Sequence, residues 1–161
     1  MTKALDADAP AWRPMGPKNC GGRIEAVDSP AGKPSIIYAG IGSGGVWKSV
    51  NGGLSWSHVF AQEATCAIGD VTVDPSDENT IWVGTGEAHL GGLSYDGTGV
   101  YRSRDAGESW EHMGLTDSSR IGKVLVHPED SELVHVAVIG PRDGAYGGRG
   151  VHVSRDGGAT W

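Results

Sequence analysis

One eight-residue phrase occurs three times in this chain, and it constrains the fold more than any other feature. It reads Ser49-Val-Asn-Gly-Gly-Leu-Ser-Trp56, Ser103-Arg-Asp-Ala-Gly-Glu-Ser-Trp110 and Ser154-Arg-Asp-Gly-Gly-Ala-Thr-Trp161. The shared pattern is Ser-x-Asp/Asn-x-Gly-x-Ser/Thr-Trp, with the tryptophans 54 and 51 residues apart. A fixed spacing of this size is the mark of a repeat architecture. Locally the phrase reads as a hairpin turn. Asp105 and Asp156 are placed to accept hydrogen bonds from backbone N–H groups across the turn, and Asn51 can do so through its carbonyl oxygen. Gly53, Gly107 and Gly158 are the residues expected at φ > 0. Trp56, Trp110 and Trp161 are expected to bury their rings between sheets.

More than the phrase repeats. Each copy follows a short run rich in β-formers: Gly45-Val-Trp-Lys-Ser49, Gly99-Val-Tyr-Arg-Ser103 and Gly150-Val-His-Val-Ser154. A second run precedes these at Ile36–Gly40, Ile81–Gly86 and Leu133–Val138, and a third at Arg23–Val27, Ile68–Val73 and Ile121–Val126. Val, Ile and aromatic residues bounded by Gly, Pro and Asp are the signature of strands. Trp110-Glu-His-Met-Gly114 reads as a fourth strand, and no segment carries a 3.6-residue apolar period. The unit is therefore four antiparallel strands, A to D from inner to outer, in about 50 residues, the size of a β-propeller blade. The fold class predicted is all-β.

The phrase resembles the Asp-box, or BNR repeat, of sialidases, sortilin-type domains and xyloglucanase-like glycosidases. The wider stretch is similar to bacterial proteins of the sortilin/VPS10-like group, which are often labelled glycosyl hydrolases. It runs Trp12-Arg-Pro-Met-Gly16, Gly21-Gly-Arg-Ile24, Ile37-Tyr-Ala-Gly40 and Ser43-Gly-Gly-Val-Trp-Lys-Ser49. The resemblance covers Trp12 to Trp161 and implies a propeller of Asp-box blades. It leaves function open, because such blades serve enzymes and binding proteins alike. It also implies that Ser49, Asn51, Gly53, Trp56, Ser103, Asp105, Gly107, Trp110, Ser154, Asp156, Gly158 and Trp161 are structural, on the face away from the usual site.

Composition narrows the partners. Glycine numbers 27 of 161 residues, more than twice the usual ~7%, as tight hairpins and close blade packing require. The formal net charge is −7, opposite to the basic stripes of nucleic-acid binders and unsuited to an anionic membrane surface. No apolar run approaches the ~18 residues of a membrane span. Met1–Pro10 lacks the hydrophobic core of a signal peptide and reads as a disordered polar lead. The resemblance implies export, so the compartment stays open. Cys20 and Cys66 both precede an A strand; ordinary thiols and a bridge across neighbouring blades are both open. The six histidines are scattered without a metal motif, and no glycine run opens a phosphate-cradling helix, so neither metal nor cofactor is predicted.

The organisation predicted is a lead over 1–11, a D-type closing strand over 12–16, and blades over 21–60, 66–115 and 119–161, the third lacking its D strand. Rings usually need ~4–8 blades, so the ring is incomplete within this sequence. The expectation is an N-terminal portion of a larger propeller with further blades in cis. The alternative is a pair of chains in which each lends Trp12–Gly16 to its partner by strand exchange.

Candidate functional residues lie in the B–C loops, on the face opposite the Asp-boxes. Glu87–Thr98 in blade two and Gly140–Arg149 in blade three exceed what a hairpin needs. Ligand-binding candidates are Arg23, Arg120, His89, Tyr95, Arg142, Tyr146 and Arg149. Arg23 and Arg120 occupy matching positions at the channel mouth, where guanidinium groups can pair with a ligand carboxylate or bond carbonyls of adjacent blades. Glu25, Asp70 and Lys123 lie on the same strands and can pair between blades. Glycoside hydrolysis requires two carboxyl groups flanking one bond, or a Tyr nucleophile with an acid; Glu87, Asp96, Asp143 and Tyr95 are the candidates. The resembling xyloglucanases carry Asp in an early Asp-x-Gly-Gly segment, where this chain has Gly42-Ser-Gly-Gly45. Two functions follow as expectations: a scaffold presenting these loops to a carbohydrate or polypeptide, or a sialidase-like or xyloglucanase-like glycosidase.

Overall fold

The computed structural model describes residues 22–89, 94–141 and 148–161. They form three antiparallel sheets in chain order. Blade one contains β1 (Ile24–Asp28), β2 (Ile37–Ile41), β3 (Gly45–Ser49) and β4 (Ser57–His58). Blade two contains β5 (Ile68–Asp74), β6 (Asp77–Thr85), β7 (Val100–Ser103) and β8 (Glu111–His112). Blade three contains β9 (Ile121–His127), β10 (Asp130–Val138) and β11 (Gly150–Ser154). The all-β class and the three antiparallel sheets read from the sequence are those observed. A short 3₁₀ turn, Thr116–Ser118, joins blades two and three. It is flanked by Leu115 at φ 54° and Ser119 at φ 55°, left-handed residues with no sequence signal.

Side chains alternate along each strand, so blade two sends one set of residues to each neighbour. Ile81, Val83 and Tyr101 join Tyr38, Val46, Phe60, Ile68, Val71 and Val73 in the core between blades one and two. Trp82 and Val100 join Met113, Ile121, Val124, Val126, Val134, Val136 and Val138 in the core between blades two and three. Glycine marks where the sheets close in: a Cβ on Gly40 would lie 2.7 Å from the Ile68 Cγ2 methyl, and one on Gly84, its repeat equivalent, would collide with Ile121.

The Asp-box turns behave as their chemistry dictates. Ser49, Ser103 and Ser154 are each 1% exposed. Their hydroxyls accept from Gly53, Gly107 and Gly158 N–H at 2.8, 2.8 and 2.7 Å. Those glycines sit at φ 88°, 91° and 90°. Asp105 Oδ1 accepts from Ser109 N–H at 2.8 Å, and Asp156 Oδ1 from Thr160 N–H at 2.9 Å. With the neighbouring hydroxyls also donating, both carboxyls are held down at about 2. Asn51 keeps the backbone bond, accepting from Ser55 N–H at 2.9 Å.

Each box is also fastened to its neighbours. Trp110 Nε1 donates to Val59 O on blade one, and Trp161 Nε1 to Met113 O on blade two, both at 2.6 Å. In the other direction, Lys48 Nζ donates to Ala106 O at 2.8 Å and Arg102 Nη1 to Gly157 O at 2.5 Å. Ala106 and Gly157 are the same left-handed residue of successive boxes, at φ 59° and 62°. Trp56 departs from the expected burial. It is 39% exposed and its Nε1 turns back to Gly53 O, because no described sheet precedes blade one.

Candidate functional site

The B–C loop of blade two starts from Gly86 and returns to Gly99, and both ends are pinned. Thr85 Oγ1 donates to Gly99 O at 2.6 Å and accepts from Thr98 N–H at 2.8 Å. Gly86 N–H reaches Ala67 O on the blade's own inner strand at 2.8 Å. The described part of the loop then touches both neighbouring blades. On the blade-one side, Arg23 Nη2 meets Glu87 Oε2 at 3.0 Å and His89 Nδ1 meets Glu25 Oε2 at 2.7 Å. Arg23 Nε also lies against Glu25 Oε1. On the blade-three side, Arg120 Nη2 meets Asp96 Oδ1 at 3.0 Å and Ser94 O at 3.2 Å, while Gly97 N–H donates to Ser119 O.

Burial sorts these groups into a floor and a cover. The side chains of Glu25, Glu87 and Arg120 are 1%, 5% and 3% exposed, whereas Arg23, His89 and Asp96 are 44%, 74% and 57% exposed. Buried charges are tolerated because each is paired. Tyr95, next to Asp96 in the loop, is 62% exposed, and its backbone carbonyl accepts from Glu87 N–H at 3.0 Å. An exposed ring next to paired acids and bases has the composition of a surface that stacks and hydrogen-bonds a polar ring.

Arg23 and Arg120 therefore do not meet each other; each is met by an acid of the intervening loop. Asp70 and Lys123 do pair between blades, at 3.0 Å. Asp70 Oδ2 also accepts from Val124 N–H at 2.7 Å, joining β5 to β9 where no sheet ladder exists. Burial pushes the Asp70 carboxyl up, and these bonds oppose that shift. Arg149 donates to Pro141 O at 2.5 Å. Arg142, Asp143 and Tyr146 lie outside the described residues, as do Cys20 and Trp12–Gly16. Cys66 is exposed. Among the described residues, no group of His, Cys, Asp or Glu is arranged to hold a metal ion, and no helix is long and apolar enough to cross a membrane.

Two grooves lie elsewhere. One of about 720 Å³ follows the rim between Lys48, His58 and the Asp-box turn of blade two. Another of about 410 Å³ runs along the inner strands past Val27, Thr72 and Leu125. Neither reaches the loop acids. Sequence reasoning did not anticipate the Glu25–His89 contact, which joins residues 64 apart in the chain and occurs once. It also passed over Lys48 and Arg102, although both stand immediately before the box serine.

No family model matches the chain. It is 31% identical over 104 residues to an oligoxyloglucan-reducing-end-specific xyloglucanase of Emericella nidulans, a match covering 62% of this chain and 12% of that protein. The crystal structure of an ancestral GH74 enzyme superimposes with a TM-score of 0.69 and 26% identity, over 90% of this chain and 18% of that one. YCF48 from Cyanidioschyzon merolae superimposes with a TM-score of 0.58 and 15% identity, over 88% of this chain and 39% of that one, which shows the fold alone. The three sheets thus match part of a GH74-type β-propeller, and the chain spans between an eighth and two fifths of the length of the proteins it matches.

Proposed function

We propose that these blades form part of a glycoside-hydrolase-type propeller of the xyloglucanase kind, and that they supply a wall that binds the polysaccharide. The observation that carries the reading is the likeness to a GH74 enzyme over nine tenths of the chain, at 26% identity. The loop face supports it with an exposed Tyr95 next to paired polar groups. Sugars offer apolar ring faces and hydroxyl edges, and such a surface addresses both. Gly42 stands where the resembling enzymes carry an acid, and Glu87 and Asp96 are committed to arginines. In this reading, cleavage draws at least one carboxyl group from further blades, in cis or from a second copy.

Those same two facts favour a second reading, a scaffold that binds a glycan or polypeptide without turnover. Calorimetric titration of the chain with xyloglucan oligosaccharides, run beside an assay of released reducing ends, separates the two. Binding with Tyr95→Ala weakening it supports the glycan wall. Reducing ends released by the chain and lost in Glu87→Gln would show that these blades carry the acid themselves. Absence of binding to any xyloglucan oligosaccharide would overturn the proposal.

A further inference from the structure

One contact on the loop face has a chemistry the others lack: a buried carboxylate joined to an exposed imidazole. Glu25 Oε2 lies 2.7 Å from His89 Nδ1, with side chains 1% and 74% exposed. A carboxylate accepts and does not donate, so the neutral ring carries its proton on Nδ1. Nε2 then holds a lone pair, and among the described residues it has no partner. Arg23, which lies against Glu25 and reaches Glu87, holds the carboxylate from the other side.

Gly42 makes room for this arrangement. A Cβ there would lie 3.1 Å from Glu25 Oε1 and 3.5 Å from Glu25 Cγ. A side chain at 42 would make the Glu25 carboxylate give by a few tenths of an ångström, so glycine there leaves it room beside the ring. The chain thus lacks an acid at residue 42 and places one beside that position from β1 instead.

We propose that Glu25 and His89 form a carboxylate–imidazole pair in which Glu25 fixes the ring and His89 Nε2 accepts a hydrogen bond from a hydroxyl of a neutral sugar. The charges select that ligand class. Below the ring, Glu25 and Glu87 face the single cation of Arg23, leaving one net negative charge. An anionic ligand is repelled, while a hydroxyl donor is not. Glu25 is a positioning residue; His89 is the group that touches the ligand. The identity of the ligand rests on the function proposed above, whereas the pair itself does not.

The test is long-range ¹H–¹⁵N NMR of the histidine-labelled chain above the imidazole titration, followed by titration with a xyloglucan oligosaccharide. Wild type should show His89 protonated at Nδ1 and bare at Nε2. Glu25→Gln keeps an acceptor and should retain that tautomer. Glu25→Ala should release the ring to the Nε2-protonated form. A wild-type His89 protonated at Nε2, or one indifferent to Glu25→Ala, would overturn the pair. On adding the oligosaccharide, the Nε2 resonance should move, and His89→Ala should raise Kd roughly three- to tenfold, the loss of one hydrogen bond. Wild-type binding with His89→Ala unchanged overturns the ligand site and leaves the glycan wall standing. No binding by wild type overturns the glycan wall and, with it, the sugar assigned to Nε2, whatever the tautomer.

Discussion

The rim that carries the Asp-boxes and the face that carries the B–C loops use charge in opposite ways. On the rim two devices appear at both described blade interfaces: a cation reaches forward to the left-handed carbonyl of the next box, and an indole reaches back to a carbonyl of the previous blade. On the loop face the arginine–acid pair appears at both interfaces but is supplied by one loop, and among the described residues the carboxylate–imidazole contact appears once. Glu87 and His89 meet blade one, and Asp96 meets blade three, all from a single loop. A feature that recurs with the repeat serves the repeat. A feature that breaks it answers to something other than blade stacking, which is why the loop face, and not the more conspicuous Asp-boxes, is the place to look for a ligand.

The largest effect that can test this contrast is at Arg102. Its guanidinium is nearly buried, stacks 5.4 Å from the Trp82 ring centre, and bonds Gly157 O and Glu111. Arg102→Ala should lower stability by about 2–4 kcal/mol in urea unfolding, the sum of a charged hydrogen bond and a desolvated cation–π contact. Lys48→Ala removes the equivalent, more exposed staple and should cost about 1–2 kcal/mol. If the two costs were reversed, the rim would not be governed by burial of the staple. Next come the indoles. Replacing Trp110 or Trp161 by Phe deletes a bond across an interface and should cost about 1–2 kcal/mol, whereas Trp56→Phe deletes a bond within its own turn and should cost under about 0.5 kcal/mol.

Acid separates the boxes from one another. The folded-state pKa of Asp105 and Asp156, about 2, lies below the ordinary aspartate value of 3.8, so the ionised form favours folding. That contribution is complete above the unfolded pKa and fades as pH falls from about 4 towards about 2. The amide protection factors of Ser109 and Thr160 should fall across this window, while that of Ser55, bonded to Asn51, should not follow. The smallest effect on stability belongs to the loop face. Tyr95→Ala should change unfolding by less than about 0.5 kcal/mol, as expected of an exposed side chain, yet weaken oligosaccharide binding measured by calorimetry. A Tyr95 variant that destabilised the fold and left binding intact would reverse the roles of the two regions.

What could be read from the sequence follows the same division. The box turns, the strands and the blade order were legible because Ser, Asp, Gly and Trp at fixed spacing act within one hairpin, and the hairpin is written three times. The Lys48 and Arg102 staples depend on the register between one blade and the next, which no single blade encodes, though their shared place before the box serine was a usable signal. The expected burial of Trp56 failed for a related reason: a box tryptophan is covered by the preceding sheet, and the described residues supply none there. Glu25 and His89 escaped notice because a pairing made once, between a strand and a distant loop, leaves no periodic trace. Arg23 and Arg120 stand at matching places in their repeats, but sequence position could not show that an acid from blade two would meet each of them.

The backward reach of the box indole gives the fold an order in time. Val59 precedes Trp110 in the chain, and Met113 precedes Trp161, so a polypeptide made from its N-terminus presents every acceptor before its donor exists. Each new blade can dock as soon as its own box is synthesised, on an outer strand that is already in place. The forward cations, by contrast, wait: the acceptors of Lys48 and Arg102 across the interface, Ala106 O and Gly157 O, come later in the chain. Each described interface thus joins one bond whose acceptor precedes its donor in the chain to another whose acceptor follows it.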